Sequence, residues 1–559
     1  MKSFVIITLA YYFSLSLAFV HECDHKGDEE IDVYIPDNIH LLSERTFTPA
    51  PIRFTFDDSE IQNMSDLNLK NLLLKSIKTA QLFYEDLIIV KKPNPSDIVV
   101  TDKPCNFHQF SNYPQQSNSD FHVYIQLYQF QPSSTTIASA QACQLNSGLD
   151  NRPELAVVNL NAQYIKSLED NYYNFQMISK IVIHELFHAI ANSPGLYSRY
   201  TTQGYYKNNA LSFQNILQWA RDHYDCEDLI EFPLESHGSL GSKGSHWPRD
   251  LLNNDVNTAS YLLGNMVWSG INNAMILDSG WYDIQNYQNK SDPISWGLKK
   301  GCLFLNIDKC DTQFPEFCTN QDQKDTFIYS GIGTCSSNKQ DLDIFATCPY
   351  IFLYSNMECQ NPANNNNKYN AQLFQEFNVV FGSTSSAFQS NIQPKNTEDL
   401  SSNTVLCYPN KCNEEKTKIS ISFDRYTLTC EQDGQIIYPP QDSNFKGYLT
   451  CPRISDFCQK QVQCEDFCSS NGYCLNGKCH CIEGVTGEKC ECSENKDLKQ
   501  PSCNRVQIQN CNIYDDKGNC IKCFSNYKVN DNKCFADTAF KTKLTFSLLL
   551  IIMLLSLIF

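Results

Sequence analysis

The stretch Ile181-Val-Ile-His184-Glu185-Leu-Phe-His188-Ala-Ile190 decides how this sequence is read. Apolar residues fill most positions around it, and a strong helix is predicted from about Asn174 to Ala191. Two histidines four residues apart project from one face of such a helix. Their imidazoles can share one Zn²⁺ at about 2.0–2.1 Å. Glu185 stands beside them, where it can take a proton from a water that the metal activates. The other reading of the same letters is a buried helix whose histidines have ordinary partners. A catalytic zinc also needs a third protein ligand. Downstream, His223 lies in a polar helical stretch and reads as structural, His237 lies in a loop, and His246 lies in Gly244-Ser-His-Trp247.

Upstream of the helix, Ile52 to Phe56 alternates like a strand, and Leu67 to Leu87 carries apolar residues at helical spacing. Phe121 to Ile125 and Leu155 to Leu160 also read as strands. This α+β stretch is poor in cysteine and has the size of one enzyme domain. The chain holds 27 cysteines, an odd number, of which only Cys23, Cys105, Cys143 and Cys226 precede residue 300. That density belongs to an oxidising compartment, where disulfides supplement small cores. The single CxxC of the tail, Cys520-Ile-Lys-Cys523, argues against a zinc ribbon. With 62 acidic and 44 basic residues the formal net charge is −18, which excludes nucleic acid as a partner.

Further text around the helix is recognisable. His-Glu-x-x-His, a long insertion, Gly244-Ser-His-Trp247, Asn254-Asp-Val-Asn-Thr258 and Asp278-Ser-Gly-Trp-Tyr282 occur in that order. Pro51-Ile-Arg53, Tyr84-Glu-Asp-Leu87, Asp120 to Tyr124, Ala140 to Leu145, Arg152-Pro153, Val158 to Asn161 and Trp296 to Leu305 agree with them. Over about residues 20–380 the chain resembles the leishmanolysin family of metzincin zinc metalloproteases. The resemblance implies one zinc per chain on His184, His188 and His246, with Glu185 catalytic. It makes His237 the fallback ligand. It also implies a latent form in which Cys23, in His21-Glu-Cys23-Asp-His25, is the thiolate ligand that holds the zinc site closed. Reserving Cys23 leaves 26 of the 27 cysteines, which can all pair. Two positions depart from the family pattern. The glycine three residues after the second histidine is Ala191, which at a positive φ is strained unless a different turn compensates. The methionine beneath the zinc ligands aligns with Asn257, whose amide needs hydrogen-bond partners.

The ends carry sorting signals. Lys2, the apolar run Phe4 to Leu17 and the small residues Ser16 and Ala18 read as a signal peptide cut after Ala18. The apolar tail Leu544 to Phe559 reads as a GPI-attachment signal or a short membrane anchor. Sequons stand at Asn63 and Asn289. Cys464 to Cys490, spaced C-x3-C-x5-C-x4-C-x-C-x8-C, resembles an EGF-like module, which implies first–third, second–fourth and fifth–sixth pairing.

The expected fold is α+β, a metzincin catalytic domain followed by a disulfide-rich C-terminal domain and a small EGF-like module. The expected bounds are 1–18 signal peptide, 19–50 pro-segment, 51–300 catalytic domain and 301–458 cysteine-rich region. After these come 459–492 EGF-like module, 493–535 disulfide-rich segment and 536–559 anchor signal. The expected function is a secreted, membrane-anchored zinc endopeptidase made as a latent proenzyme. It would act on extracellular or vesicular proteins and peptides at the cell surface, with a role in cell adhesion. The alternative is a catalytically weak or inactive surface adhesion protein that keeps the protease fold and binds through its EGF-like tail.

Overall fold

The computed structural model describes residues 31–35, 46–100, 118–130, 136–238, 241–260, 266–306, 310, 313–319, 323–335, 346–367, 377–397, 404–493, 511–514, 520–523, 527–530 and 533–536. Cys23, the expected signal peptide at residues 1–18 and the Leu544–Phe559 tail lie outside them. No helix among the described residues is long and apolar enough to cross a membrane. The chain divides into two units, Met1–His480 and Cys481–Phe559.

The first unit is built on a five-stranded sheet. Its strands are β1 (Asp32–Tyr34), β2 (Phe54–Asp57), β3 (Phe121–Tyr128), β4 (Ala138–Asn146) and β5 (Arg152–Asn161), in the order β1-β4-β5-β3-β2. β5 pairs parallel with β3, which pairs parallel with β2, while β4 runs antiparallel to β5. β5 is buried along almost its whole length, as a central strand covered on both faces must be. Helix α1 (Leu67–Leu87) begins where Asp66 accepts the Asn68 and Leu69 amides, and it buries Leu69, Leu72, Leu73, Ile77 and Phe83. Helix α2 (Tyr172–Ile190) begins where Asn171 accepts the Asn174 amide. From Ile181 to Ile190 it is buried all round, which is why its sequence lacks a polar stripe. The Tyr84 hydroxyl donates to the Ile183 carbonyl at 2.6 Å and ties α1 to α2. Trp268 stands edge-on to Phe83 and to Phe187, each at 5.0 Å, and locks the pair. Helices α3 (Gln214–Tyr224) and α4 (Gly270–Asp278) complete this part.

Residues beyond 300 join the same core, among them Phe304, Phe317, Tyr350 and Phe352. A second core lies around a four-stranded sheet of β6 (Ser385–Gln389), β7 (Val405–Cys412), β8 (Ile419–Phe423) and β9 (Tyr426–Cys430). Cys359–Cys407, Cys412–Cys458 and Cys430–Cys451 staple it. Cys226–Cys302, Cys310–Cys348 and Cys318–Cys335 fasten the connecting loops. In the segment that resembles an EGF-like module the pairs are Cys464–Cys474, Cys468–Cys479 and Cys481–Cys490, first–third, second–fourth and fifth–sixth. The described part of the second unit is a set of two-residue to four-residue strands, including the hairpin of Tyr527–Asn530 with Lys533–Ala536.

Burial has a consequence in acid. It holds the His223 imidazole down to about 4, where the ring stacks on Trp219 at 4.6 Å and Nε2 meets the Trp296 carbonyl at 2.8 Å. A histidine whose folded pKa is depressed adds stability above its unfolded value, near 6.5, and loses it as pH falls toward 4. Relative to His223→Gln, the parent should lose roughly 2 kcal/mol more on going from pH 7.5 to pH 5. Urea midpoints of both proteins at the two pH values check this, and parallel changes would refute it.

Candidate metal centre

Two elements bring the chemistry together. Helix α2 presents His184 and His188 one turn apart, and the Gly244–Trp247 loop brings His246 against them. His184 Nε2 lies 3.0 Å from His188 Nε2 and 3.3 Å from His246 Nε2. All three side chains are buried, and together they form a group able to hold a metal ion. The second nitrogen of each ring faces a backbone carbonyl. His184 Nδ1 meets Val256 O at 2.8 Å, His188 Nδ1 meets Asn192 O at 2.7 Å, and His246 Nδ1 meets Ser242 O at 2.9 Å. A carbonyl only accepts, so each Nδ1 carries the proton and each Nε2 carries a lone pair. Three lone pairs turned on one another do not hydrogen-bond, but they suit a shared cation. Two nitrogens bound tetrahedrally to zinc at 2.0–2.1 Å stand about 3.3–3.4 Å apart, close to the spacing here. Burial holds His184 down to about 4, in the neutral form that a ligand must have.

The loop carrying His246 is fixed from several sides. Glu235 N donates to the His246 carbonyl and Gly244 N to the Glu235 carbonyl, at 2.8 and 2.9 Å. Gly244 has φ +75°, and a Cβ there would come within 2.5 Å of the Tyr206 hydroxyl. Trp247 Nε1 donates to Asn272 Oδ1 at 2.7 Å. Val256, whose carbonyl orients His184, lies in a loop held by Asp255. The Asp255 carboxylate accepts from Ser269 N, Ser269 Oγ, Asn272 Nδ2 and Asn257 N. Burial pushes this carboxyl up to about 6 against those donors. Glu185 is fully buried on α2 between the two histidines.

His246, not His237, joins the pair. His237 is 45% exposed and bound to Glu235 at 3.0 Å, and that carboxylate raises its pKa. Of the departures noted in the sequence, Ala191 is accommodated locally and Asn257 in part, its buried Oδ1 having no hydrogen-bond partner among the described residues. Ala191 has φ −148°, outside the left-handed region, so alanine carries no glycine-type penalty. Its turn is made by Ala191 N and Asn192 N, both donating to the Phe187 carbonyl at 2.9 Å. Asn257 is fully buried; its amide N–H binds Asp255, its carbonyl accepts from Trp247 N at 3.0 Å, and its Nδ2 reaches the Ser245 carbonyl at 3.5 Å. It is bonded into the His246 loop instead of forming an apolar floor.

The sequence reading passed over Asn192. Its carbonyl holds His188, its Nδ2 donates to the Ser245 carbonyl at 2.7 Å, and its Oδ1 accepts from Tyr197. It therefore bridges the end of α2 to the His246 loop. Asn192→Ala keeps the carbonyl that holds His188 but removes the tie to the His246 loop, so it should keep the fold and lower metal affinity by about tenfold, the low end of what loosened support around metal ligands costs. A competition titration against a chelator reads this, and unchanged affinity would remove Asn192 from the support. Only the letters next to the helix end could have pointed to it. Asp255, by contrast, is the acidic letter of Asn254-Asp-Val-Asn-Thr258, a segment already in view.

Comparison with known proteins follows the same lines. The leishmanolysin model of the peptidase M8 family matches residues 70–464. A leishmanolysin of Leishmania donovani is 24% identical over 390 residues, covering 62% of this chain and 62% of that protein. A leishmanolysin homolog of Crithidia fasciculata is 24% identical, covering 62% and 56%. A ciliated left-right organizer metallopeptidase of Danio rerio is 24% identical over 364 residues, covering 61% and 55%. The chain thus spans 55% to 62% of the length of these curated relatives.

Proposed function

We infer the activity from one premise: the chain belongs to the leishmanolysin family of metallopeptidases. We propose that it is a zinc endopeptidase, with His184, His188 and His246 holding the ion and Glu185 catalytic. The observation that carries this reading is the convergence of three buried Nε2 lone pairs, 3.0 and 3.3 Å apart, beside Glu185. When bound, zinc supplies a Lewis acid that polarises the scissile carbonyl and makes water a nucleophile near neutral pH. The Val256, Asn192 and Ser242 carbonyls keep the three rings in the ligand tautomer. The Glu185 carboxylate takes the proton of the attacking water and passes it to the leaving amine nitrogen.

The substrates in this proposal are proteins and peptides outside the cell or in vesicles. The signal peptide, the GPI or membrane anchor, latency through Cys23, the domain bounds, the EGF-like module and a role in adhesion belong to the same proposal, and each rests on the residues quoted for it. The test is casein hydrolysis by activated protein with and without a zinc chelator, beside elemental analysis of the folded chain. Expected are one zinc per chain and loss of hydrolysis on chelation, restored by added zinc. Folded, zinc-loaded protein that cleaves nothing would sink the enzyme reading. Cys23→Ala should be active before processing; silence equal to that of the parent proenzyme would sink latency.

A further inference from the structure

Two of the three proposed ligands sit on different elements, His184 on α2 and His246 in a loop 62 positions further along. Beside them runs a closed ring of hydrogen bonds through four fully buried residues, Trp247, Asn257, Asp255 and Asn272. Trp247 N donates to the Asn257 carbonyl at 3.0 Å. Asn257 N donates to Asp255 Oδ1 at 2.8 Å. Asn272, on α4, donates from Nδ2 to the same carboxylate, at 3.1 Å to Oδ1 and 2.9 Å to Oδ2. Asn272 Oδ1 then accepts from Trp247 Nε1 at 2.7 Å and closes the ring.

Each ligand is one residue away from this ring. His246 precedes Trp247 in the chain. Val256, whose carbonyl meets His184 Nδ1 at 2.8 Å, lies between Asp255 and Asn257. Trp247 donates both ways around the ring, and Asp255 accepts both ways. A ring of that polarity closes only on a group that accepts and does not donate, which a carboxylate is. Buried networks with their bonds met are rigid.

We propose that Asp255 is a positioning residue for the metal centre. Its carboxylate sets the separation of His184 from His246, through Val256 on one side and through Asn272 and Trp247 on the other. The proposal rests on the ligand set proposed above. Asp255→Asn turns one oxygen into an NH₂. Either way round, that NH₂ faces the Asn272 amide and one backbone N–H, that of Ser269 or that of Asn257. Donor then meets donor, and the ring opens. Asn272→Ala opens it at the next joint and leaves Trp247 Nε1 without its acceptor.

The experiment uses the full chain in detergent, stripped of metal and titrated with zinc against a competing chelator. Each variant should bind zinc about tenfold more weakly than the parent, as loss of outer support does. Cobalt(II) in place of zinc reads the geometry, and the visible bands of four-coordinate cobalt should shift in both variants. A merely structural role would lower the Tm of metal-free and zinc-loaded protein alike, and would leave affinity and cobalt bands at parental values. Because both changes open one ring, the double variant should lose less affinity than the product of the two single losses. Folded Asp255→Asn with parental affinity and cobalt bands would overturn the proposal, as would single losses that multiply. If Asp255→Asn does not fold, Asn272→Ala decides by the same two readings. A parent chain that binds no zinc sinks the ligand set, and this proposal with it. A parent that binds zinc while both variants bind it equally well sinks this proposal alone.

Discussion

Glu185→Gln should leave the chain folded and metal-loaded while lowering kcat/KM for peptide hydrolysis by about 10²–10⁴-fold. Glutamine keeps the shape of a fully buried side chain and removes only the group that can take and return a proton. The expected loss lies in kcat, since in the proposed role the carboxylate acts on the reacting water and amine. His246→Ala should lose activity by another route. It removes one of three converging nitrogens, and a site with two imidazoles holds zinc far more weakly. Measured together, metal content and turnover separate the roles: full metal with no turnover for Glu185→Gln, little metal and no turnover for His246→Ala. Glu185→Gln with parental kcat would take the proton-transfer role away from Glu185. His246→Ala with one full equivalent of tightly held zinc would remove His246 from the proposed ligand set.

The parts of this site legible in the sequence were those written in short-range patterns. His184 and His188 are fixed relative to each other by one turn of helix, so their spacing carries the geometry. α1 was legible end to end because one face is apolar and the other is not. His246 could not be chosen over His237 from local letters alone, because a loop histidine is positioned by bonds made far away, such as Glu235 N to His246 O. The negative φ of Ala191 was equally hidden, since the turn is set by two amides sharing the Phe187 carbonyl. β1 went unread for a different reason. It has three residues and pairs parallel with β4, Asp32 opposite Gln144, so its only signal is the partner edge more than a hundred positions away.

The largest stability effect is expected at Tyr473, nine residues past the end of the family match. The sequence suggested that the segment resembling an EGF-like module begins a tail added to the protease. The side chains tell otherwise for its first half. Tyr473 is 5% exposed, donates its hydroxyl to Asp86 at 2.8 Å and stands edge-on to Phe83 at 5.2 Å, both on α1. Phe83 touches Trp268, and Trp268 touches Phe187, the residue before His188. Val462 and Leu475 belong to the same core, Asn476 N donates to Asp292 at 2.7 Å, and Gln463 accepts from Gln176 of α2 at 2.6 Å. Tyr473→Ala removes a buried ring, frees Asp86 and opens a cavity beside the helix pair. Such losses cost about 3–5 kcal/mol, enough to lower Tm by about 5–10 °C. Tyr473→Phe, which loses the hydroxyl alone, should cost about 1–2 kcal/mol. Ending the chain after Gln461 removes all of these contacts, and it should yield aggregating protein with no proteolytic activity. Scanning calorimetry of the two point variants, and secretion of the truncated chain, decide the matter. An unchanged Tm for Tyr473→Ala would mean that the strand Gly472–Leu475, which carries Tyr473, is a dispensable attachment. A large drop would mean that this strand supports the core that carries the candidate metal centre. Its Tyr473 face is then no free surface for a binding partner, and any adhesive role must use another part of the molecule.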